Sequence, residues 1–547
     1  MKETRPTLWL RWTCLILFFL FISQTIAVQK EKRVCLGTAN LFSRMGPVDE
    51  HYQSMKKTFS GCEIVLGNLE ITFLEPYHDA SFLESIKEVR GYVLIALNFI
   101  KSIPLTNLQV IRGNTLLNRQ FALCIAYNYG NKNKTQGLEE LPMRQLKEIV
   151  RGGVKIGRNP RLCGLDTIKW EDIVMSDNIL ILAENVSLSH CFKCDMEACN
   201  GSCWGPGPEN CQILTKLSCA RECPGRCRGP LPSDCCHSQC AAGCTGPKDT
   251  DCLVCRRFRD GDTCSETCPP PYIYNPNIHQ LESNPRGKFS FGYSCVSKCP
   301  NNYLATDLGS CVKTCQSGSY EVEENGVRRC KKCDGMCTKD VICDGIGHGK
   351  LQSIMSINST NIDDFENCTI VHGSIFILQV AKKGDVFTKT PKLNPEKLKF
   401  LRNIREITGF LVIQWWPEIY ADLSIFENLE IIRGRTKLYG NISLGIIDQK
   451  ITSLGLRSLK EVSDGDVVIK QNKNLCFADS IEWKPIFRTN QQARIKNNGP
   501  AEECVHNGNV CHPLCSDQGC WGPGTKQCLS YHEYQGGEEC GQFCNTV

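Results

Sequence analysis

The chain has 547 residues, 41% of them hydrophobic, with 38 cysteines and a formal net charge of +5 at pH 7. That length supports about three or four domains at roughly 100 to 200 residues each. So small a charge, spread along the chain, excludes a nucleic-acid binder working through a basic face.

The N-terminus shows how so many cysteines meet an oxidising compartment. Lys2, Arg5 and Arg11 precede the apolar run Leu15 to Ile22, and Thr25, Ile26 and Ala27 follow with a small-x-small cleavage pattern. The run is far shorter than the roughly 20 residues a membrane helix needs, so residues 1–27 are expected to be a secretory signal. No later stretch is apolar for long enough to predict a membrane span. N-x-S/T glycosylation sites at Asn133, Asn185, Asn200, Asn358, Asn367 and Asn441 agree with an extracellular glycoprotein.

Two cysteine-poor, aliphatic flanks resemble each other. The first carries CEIVLGNLEIT from Cys62, GYVLIALNFIKSIPLTNLQVIRGN from Gly91 and QLKEIVRGGVKIGRNPRLC ending at Cys163. The second carries CTIVHGSIFIL from Cys368, GFLVIQWWPEIYADLSIFENLEIIRGR from Gly409 and SLKEVSDGDVVIKQNKNLC ending at Cys476. Matched blocks in the same order mark an internal duplication. Within each flank short aliphatic bursts recur at intervals of roughly 22 to 30 residues, the spacing of a parallel solenoid with one strand per coil. Asn114, Asn159, Asn472 and Asn474 would occupy its turns. Its ends would be closed by Cys35 with Cys62, Cys163 with Cys191, and Cys476 with Cys504.

Between the flanks, from Cys191 to Cys343, a cysteine falls every few residues, and CNGSCWGPGPENC at Cys199 returns as CHPLCSDQGCWGPGTKQC at Cys511. Such a segment has too little apolar surface for a core, so disulfides must hold its shape. Between Cys268 and Cys295 the cysteines stop, and Tyr272, Tyr274, Phe289, Phe291 and Tyr293 alternate along the gap. An aromatic hairpin closed at its base by a disulfide is a contact element.

This order, with runs such as SDCCHSQCAAGCTGP, EITGFLVIQ and NLEIIRGRTK, resembles the extracellular region of the EGF receptor (ErbB) family over essentially the whole mature chain. The resemblance implies a mainly β fold: two right-handed β-helix, leucine-rich-like L domains alternating with disulfide-rich, furin-like cysteine-rich modules. The expected boundaries are 28–190 for the first L domain, 191–343 for the cysteine-rich region with a dimerisation arm at 269–294, 344–503 for the second L domain, and 504–547 for the start of a second cysteine-rich region. It implies an EGF-type growth factor clasped between the L domains, and pairing with itself or another ErbB-family receptor.

Carried over residue by residue, the resemblance makes Leu378, Val380, Asp385, Phe387 and Gln414 ligand contacts in the second L domain, and Phe42, Phe73 and Leu97 in the first. Asp385 would receive an arginine of the growth factor, sheltered by Phe387 and Val380. Without the family, Asp385 reads equally well as a turn aspartate. Arg44, Asn118, Ala126, Phe376, Leu438 and Tyr439 depart from the pattern and leave the particular growth factor open. Tyr274, Pro276, Gln280 and Phe291 match the arm, with His279 where a tyrosine is usual, which weakens the expected self-association.

The family connectivity pairs Cys194 with Cys203, Cys199 with Cys211, Cys223 with Cys235, Cys236 with Cys244, Cys268 with Cys295, Cys343 with Cys368, Cys511 with Cys520 and Cys515 with Cys528. Cys124, in FALCIAY, is expected to be a buried thiol. Cys540 and Cys544 lack family partners, because Tyr531 replaces one mate and the chain stops at Val547. No kinase HRD or DFG motif and no GxSxG elbow is present, and GIGHGKL has Leu351 where a phosphate loop needs Ser or Thr. The chain is therefore expected to be no enzyme and to hold no metal or cofactor, its CxxC pair Cys252 and Cys255 being disulfide-bonded rather than zinc-binding. It is expected to act as a soluble or truncated receptor that binds growth factor more tightly than an untruncated ectodomain. The alternatives are an incomplete product of a signalling receptor tyrosine kinase and a structural glycoprotein without ligand.

Overall fold

The computed structural model describes residues 33–40, 47–129, 136–174, 179–181, 191–300, 302–316, 318–324, 326–333, 340–352, 354–385 and 389–531. The signal, Phe42, Asn133, Asn185, Phe387, Cys540 and Cys544 lie outside them.

Each flank is a parallel solenoid, but every coil gives strands to two sheets rather than one. In the first, the short strands Val34–Cys35, Ile64–Val65, Glu88–Val89, Val110–Ile111 and Glu148–Ile149 pair side by side. The longer strands Leu69–Thr72, Val93–Ala96, Phe121–Ala126, Gly153–Gly157 and Ile179–Ile181 form the second sheet. The second flank repeats the arrangement, with Ile342–Asp344 to Glu461–Val462 in its short sheet and Ile375–Ile377 to Ala493–Lys496 in its long one. Most short strands hold two residues, too few to print an alternation on the sequence.

Strand alternation sorts the long sheets into two faces. Leu69, Ile71, Val93, Ile95, Leu123, Ile125 and Val154 point into the first core. Leu94, Ala96, Cys124 and Ala126 point the other way, into a separate cluster with Tyr92, Leu117 and Phe121. Cys124 is buried and unpaired as expected. It belongs to this outer cluster, and burial pushes its thiol pKa up. Coil turns are tied by asparagines: Asn98 Nδ2 donates to Asn128 Oδ1 at 2.9 Å, and Asn128 Nδ2 to Asn159 Oδ1 at 2.9 Å. Asn472 Nδ2 donates likewise to Asn498 Oδ1 at 2.9 Å in the second flank.

The disulfides Cys35–Cys62, Cys163–Cys191, Cys343–Cys368 and Cys476–Cys504 lie at the solenoid ends. The repeated CWGPG motif adds a second closure. Trp204 meets Trp170 edge-on at 5.8 Å inside the first core, and Trp521 meets Trp483 at 5.6 Å inside the second. Each cysteine module thus plugs the solenoid before it with one indole. Along the cysteine-rich region the pairs run Cys194–Cys203, Cys199–Cys211, Cys223–Cys235, Cys236–Cys244 and Cys268–Cys295. Cys252 joins Cys240 and Cys255 joins Cys264, so this CxxC is spent in disulfides. In the last module Cys511 pairs with Cys520 and Cys515 with Cys528.

Candidate functional site

In the second flank, Leu378 and Gln414 directly follow neighbouring parallel strands whose register sets Ile377 opposite Ile413. Gln379 Nε2 donates to the Gln414 carbonyl at 3.2 Å, tying the two strand ends. Val380 rides on the short helix Gln379–Lys383, which ends at Gly384 with φ 71°. A Cβ at Gly384 would come within 2.5 Å of the Thr390 carbonyl, so the turn needs glycine. Asp385 then opens a hairpin, donating its N–H to Thr390 O at 2.8 Å and accepting from Thr390 N at 2.9 Å. Leu378, Val380, Asp385 and Gln414 are half-buried, and the structure gathers them on one strand-end rim.

Phe73 and Leu97 hold the matching rim of the first flank. Each directly follows its strand, with φ of 59° and 57°. Leu97 packs on the outer cluster of the long sheet. The Phe73 ring meets the edge of His51 at 5.8 Å.

His51 belongs to helix α1 (Val48–Phe59), which carries Asp49 and Glu50 in its first turn and Lys56 and Lys57 in its last, as the helix dipole favours. His51, Tyr52, Met55 and Phe59 face inward. Glu50, Ser54, Lys57 and Thr58, at helical spacing on another face, reach the second flank. Lys57 Nζ lies 3.2 Å from Asp466 Oδ2, Lys470 pairs with Glu50, Ser54 Oγ donates to Asn441 Oδ1 at 3.5 Å, and Thr58 Oγ1 donates to Tyr439 O at 3.4 Å. Tyr439 N donates to Asn40 Oδ1 at 3.2 Å, and the Tyr439 ring meets His51 edge-on at 5.9 Å. The two rims therefore meet through α1. Leu438 and Tyr439, seen in the sequence only as departures, are buried here.

The arm is a hairpin of Tyr272–Asn275 with Gln280–Ser283, in register from Tyr272 opposite Ser283 to Asn275 opposite Gln280. Tyr274 and Leu281 are 59% and 69% exposed, and Pro276, His279 and Gln280 are exposed at its tip. His279 takes φ 52°, and its Nδ1 lies 2.9 Å from the Tyr274 hydroxyl. Phe291 is a correction: it is not on this hairpin. It sits on Phe289–Phe291, which pairs with Ser294–Val296, and its ring packs on Tyr303 at 4.9 Å. Aromatic alternation looks the same in both hairpins, but the second turns back onto the first flank. There the Arg112 guanidinium lies 3.8 Å over the Tyr293 ring, and the Tyr293 hydroxyl donates to Asn114 Oδ1 at 2.6 Å. Asn114 thus serves the seam.

That seam is electrostatic, and the sequence reading missed it. Glu88 Oε1 accepts from Arg112 Nε at 3.0 Å and from Arg90 Nε at 3.3 Å. Burial opposes ionisation of Glu88, but the two guanidiniums outweigh it and hold the carboxyl below its ordinary pKa. The duplicated position, Glu406, accepts from Arg433 Nε at 2.9 Å. There Glu321 joins from the cysteine-rich region, accepting from Arg435 Nη2 at 2.8 Å. A cavity of about 680 Å³ lies along the seam, lined by Arg90, Arg112, Phe291, Tyr293, Tyr303 and Arg435 among others. None of the expected ligand contacts among the described residues lines it. The signal that could have found these pairs is the repeat of EVRG and EITG, each followed by an IRG.

Among the described residues no helix is long and apolar enough to cross a membrane. The Receptor L domain family matches residues 61–174 and 367–487, the Furin-like cysteine rich region 183–344, and Growth factor receptor domain IV 510–547. The epidermal growth factor receptor of Gallus gallus is 54% identical over 97% of this chain and 76% of its own length. The melanoma receptor tyrosine-protein kinase of Xiphophorus maculatus is 47% identical over 97% of this chain, and the receptor tyrosine-protein kinase erbB-4 of Mus musculus 45% over 96%. The chain spans only 45% and 40% of the lengths of the last two. Matching these receptors through their L, furin-like and fourth domains, the chain belongs to the epidermal growth factor receptor family and comprises its extracellular region.

Proposed function

We propose that the two L domains clasp an EGF-type growth factor between their strand-end rims, and that the hairpin 272–283 pairs with a second copy or with another ErbB-family receptor. The observation that carries this reading is the convergence of the rims: Phe73, His51 and Tyr439 form an unbroken line of ring contacts from one L domain to the other. A small protein entering there displaces α1 from the second L domain and takes over both rims. The contacts it must break are two ion pairs exposed on the α1 side only, their partners Asp466 and Lys470 being largely buried, and single hydrogen bonds, worth about 1 kcal/mol each. The hairpin supports the pairing, since exposed tyrosine and leucine held on a disulfide-closed base give contact area at little entropic cost.

Calorimetric titration with an EGF-type growth factor tests the clasp. Asp385→Ala is expected to weaken binding by about 2 to 5 kcal/mol, as removing one member of a desolvated charge pair does. Unchanged affinity assigns Asp385 to its turn alone, and no binding by the parent chain overturns the reading.

A further inference from the structure

We propose that Asn441 is a glycosylation switch: a sugar on its side chain keeps α1 of the first L domain off the second, and a bare Asn441 lets the two L domains close. Asn441 opens the sequon Asn441-Ile442-Ser443, immediately after the Leu438–Tyr439–Gly440 turn that α1 rests on. Its amide oxygen lies 3.5 Å from Ser54 Oγ of α1. The nitrogen that would carry the sugar is bonded to the same carbon as that oxygen, and the side chain is half-buried in the contact. Gly440 next to it is so close that a single Cβ would stand 3.0 Å from Thr58 Cγ2. A contact that must already shift to take one methyl beside α1 has no room for an N-acetylglucosamine and the chain built on it.

The remaining described sequons differ in place. Asn200 and Asn367 are exposed, and the Asn358 side-chain oxygen Oδ1 accepts from the N–H and hydroxyl of Thr360 in its own turn at 2.9 and 2.7 Å. Among the described residues none of them hydrogen-bonds or ion-pairs between the L domains, so a sugar there leaves closure untouched. At Asn441 the opposing contacts are weak, so steric exclusion decides the outcome. Lys57 and Glu50 are 53% and 56% exposed, against 9% and 15% for their partners Asp466 and Lys470, and pairs open to solvent on one side do not hold against the volume of a glycan.

The test needs no growth factor, so its failure is distinct from failure of the clasp. The full chain is secreted from a glycosylating cell line, and occupancy at Asn441 is read by glycopeptide mass spectrometry. Zero-length carbodiimide coupling then scores closure through the Lys57–Asp466 and Lys470–Glu50 cross-links. The parent chain is expected to carry sugar at Asn441 and to give little of either product. Asn441→Gln, and Ser443→Ala, which removes the sequon but keeps Asn441, are each expected to raise both by tenfold or more, whereas Asn200→Gln leaves them unchanged. An unoccupied Asn441, or cross-link yields within twofold between the parent and both sequon variants, overturns the proposal.

Discussion

The cysteine-rich region and the second L domain both touch the first L domain, and they do so with opposite chemistry. On the inner side Arg112 is 1% exposed, its guanidinium lodged between the Glu88 carboxylate and the Tyr293 ring. On the outer side α1 offers Lys57 and Glu50 to the solvent as much as to Asp466 and Lys470. Buried charge that has lost its water cannot be unpaired cheaply, while exposed charge exchanges one partner for water with little change. One surface therefore holds the L domain to its spacer through buried charge, and the other meets its partner through charges that α1 leaves open to solvent.

The largest effect should come from breaking the inner seam. Glu88 alone serves two guanidiniums, and among the described residues neither Arg90 nor Arg112 has another carboxylate within ion-pair distance. Glu88→Gln leaves both buried and uncompensated, with an expected loss of about 3 to 5 kcal/mol. The duplicated seam gives the control. Arg433 contacts Glu406 at 2.9 Å but also Glu461 at 3.7 Å and Glu321 at 3.8 Å. Glu406→Gln is therefore expected to lose less than half as much, read for both variants from denaturant midpoints and from hydrogen exchange of residues 252–255 and 289–296. Equal losses would deny that carboxylate number separates the two seams.

Much of this architecture could be read beforehand. The matched aliphatic blocks announced two related solenoids, and the family resemblance supplied pairings such as Cys223 with Cys235 that spacing alone left open. What escaped were contacts between distant residues with ordinary local sequence. Glu50, Ser54, Lys57 and Thr58 look like the solvated face of an amphipathic helix, and nothing near them points to Asn441 or Asp466, some 400 residues on. Trp204 and Trp521 were visible in the repeated CWGPG, yet the cysteines around them drew the reading toward disulfides and away from the indoles that seal each core. Phe291 lies on a different hairpin from Tyr274 although its aromatic alternation is the same, because alternation reports a strand, not which neighbour it meets.

An intermediate effect should follow pH on the second seam. His372 is held neutral: burial, then the nearby His348 and Arg435, lower its pKa to about 4. The unfolded imidazole takes up its proton near pH 6.5, so between about 6.5 and 4 protonation favours the unfolded chain. Stability of the second L domain is expected to be complete above pH 6.5 and to fall by on the order of 1 to 3 kcal/mol as pH drops to 4. His372→Gln should flatten that slope in urea midpoints measured across the range. A slope that survives the substitution would place the titration elsewhere in the domain.

The smallest change in stability, but the sharpest separation of the two surfaces, is expected from salt. Raising ionic strength from about 0.01 to 1 M shortens the screening length from about 30 to 3 Å, which weakens exposed pairs and leaves buried ones nearly untouched. On a chain bearing Asn441→Gln, small-angle scattering should show the radius of gyration growing with salt as α1 leaves the second L domain. Lys57→Ala should shift that opening to lower salt while costing no more than about 1 kcal/mol in unfolding, because Asp466 keeps Arg494 at 2.8 Å. Hydrogen exchange at residues 289–296 should stay constant throughout. Opening of both surfaces together would mean that the inner seam, despite its burial, is held by the same screened charges as the outer contact.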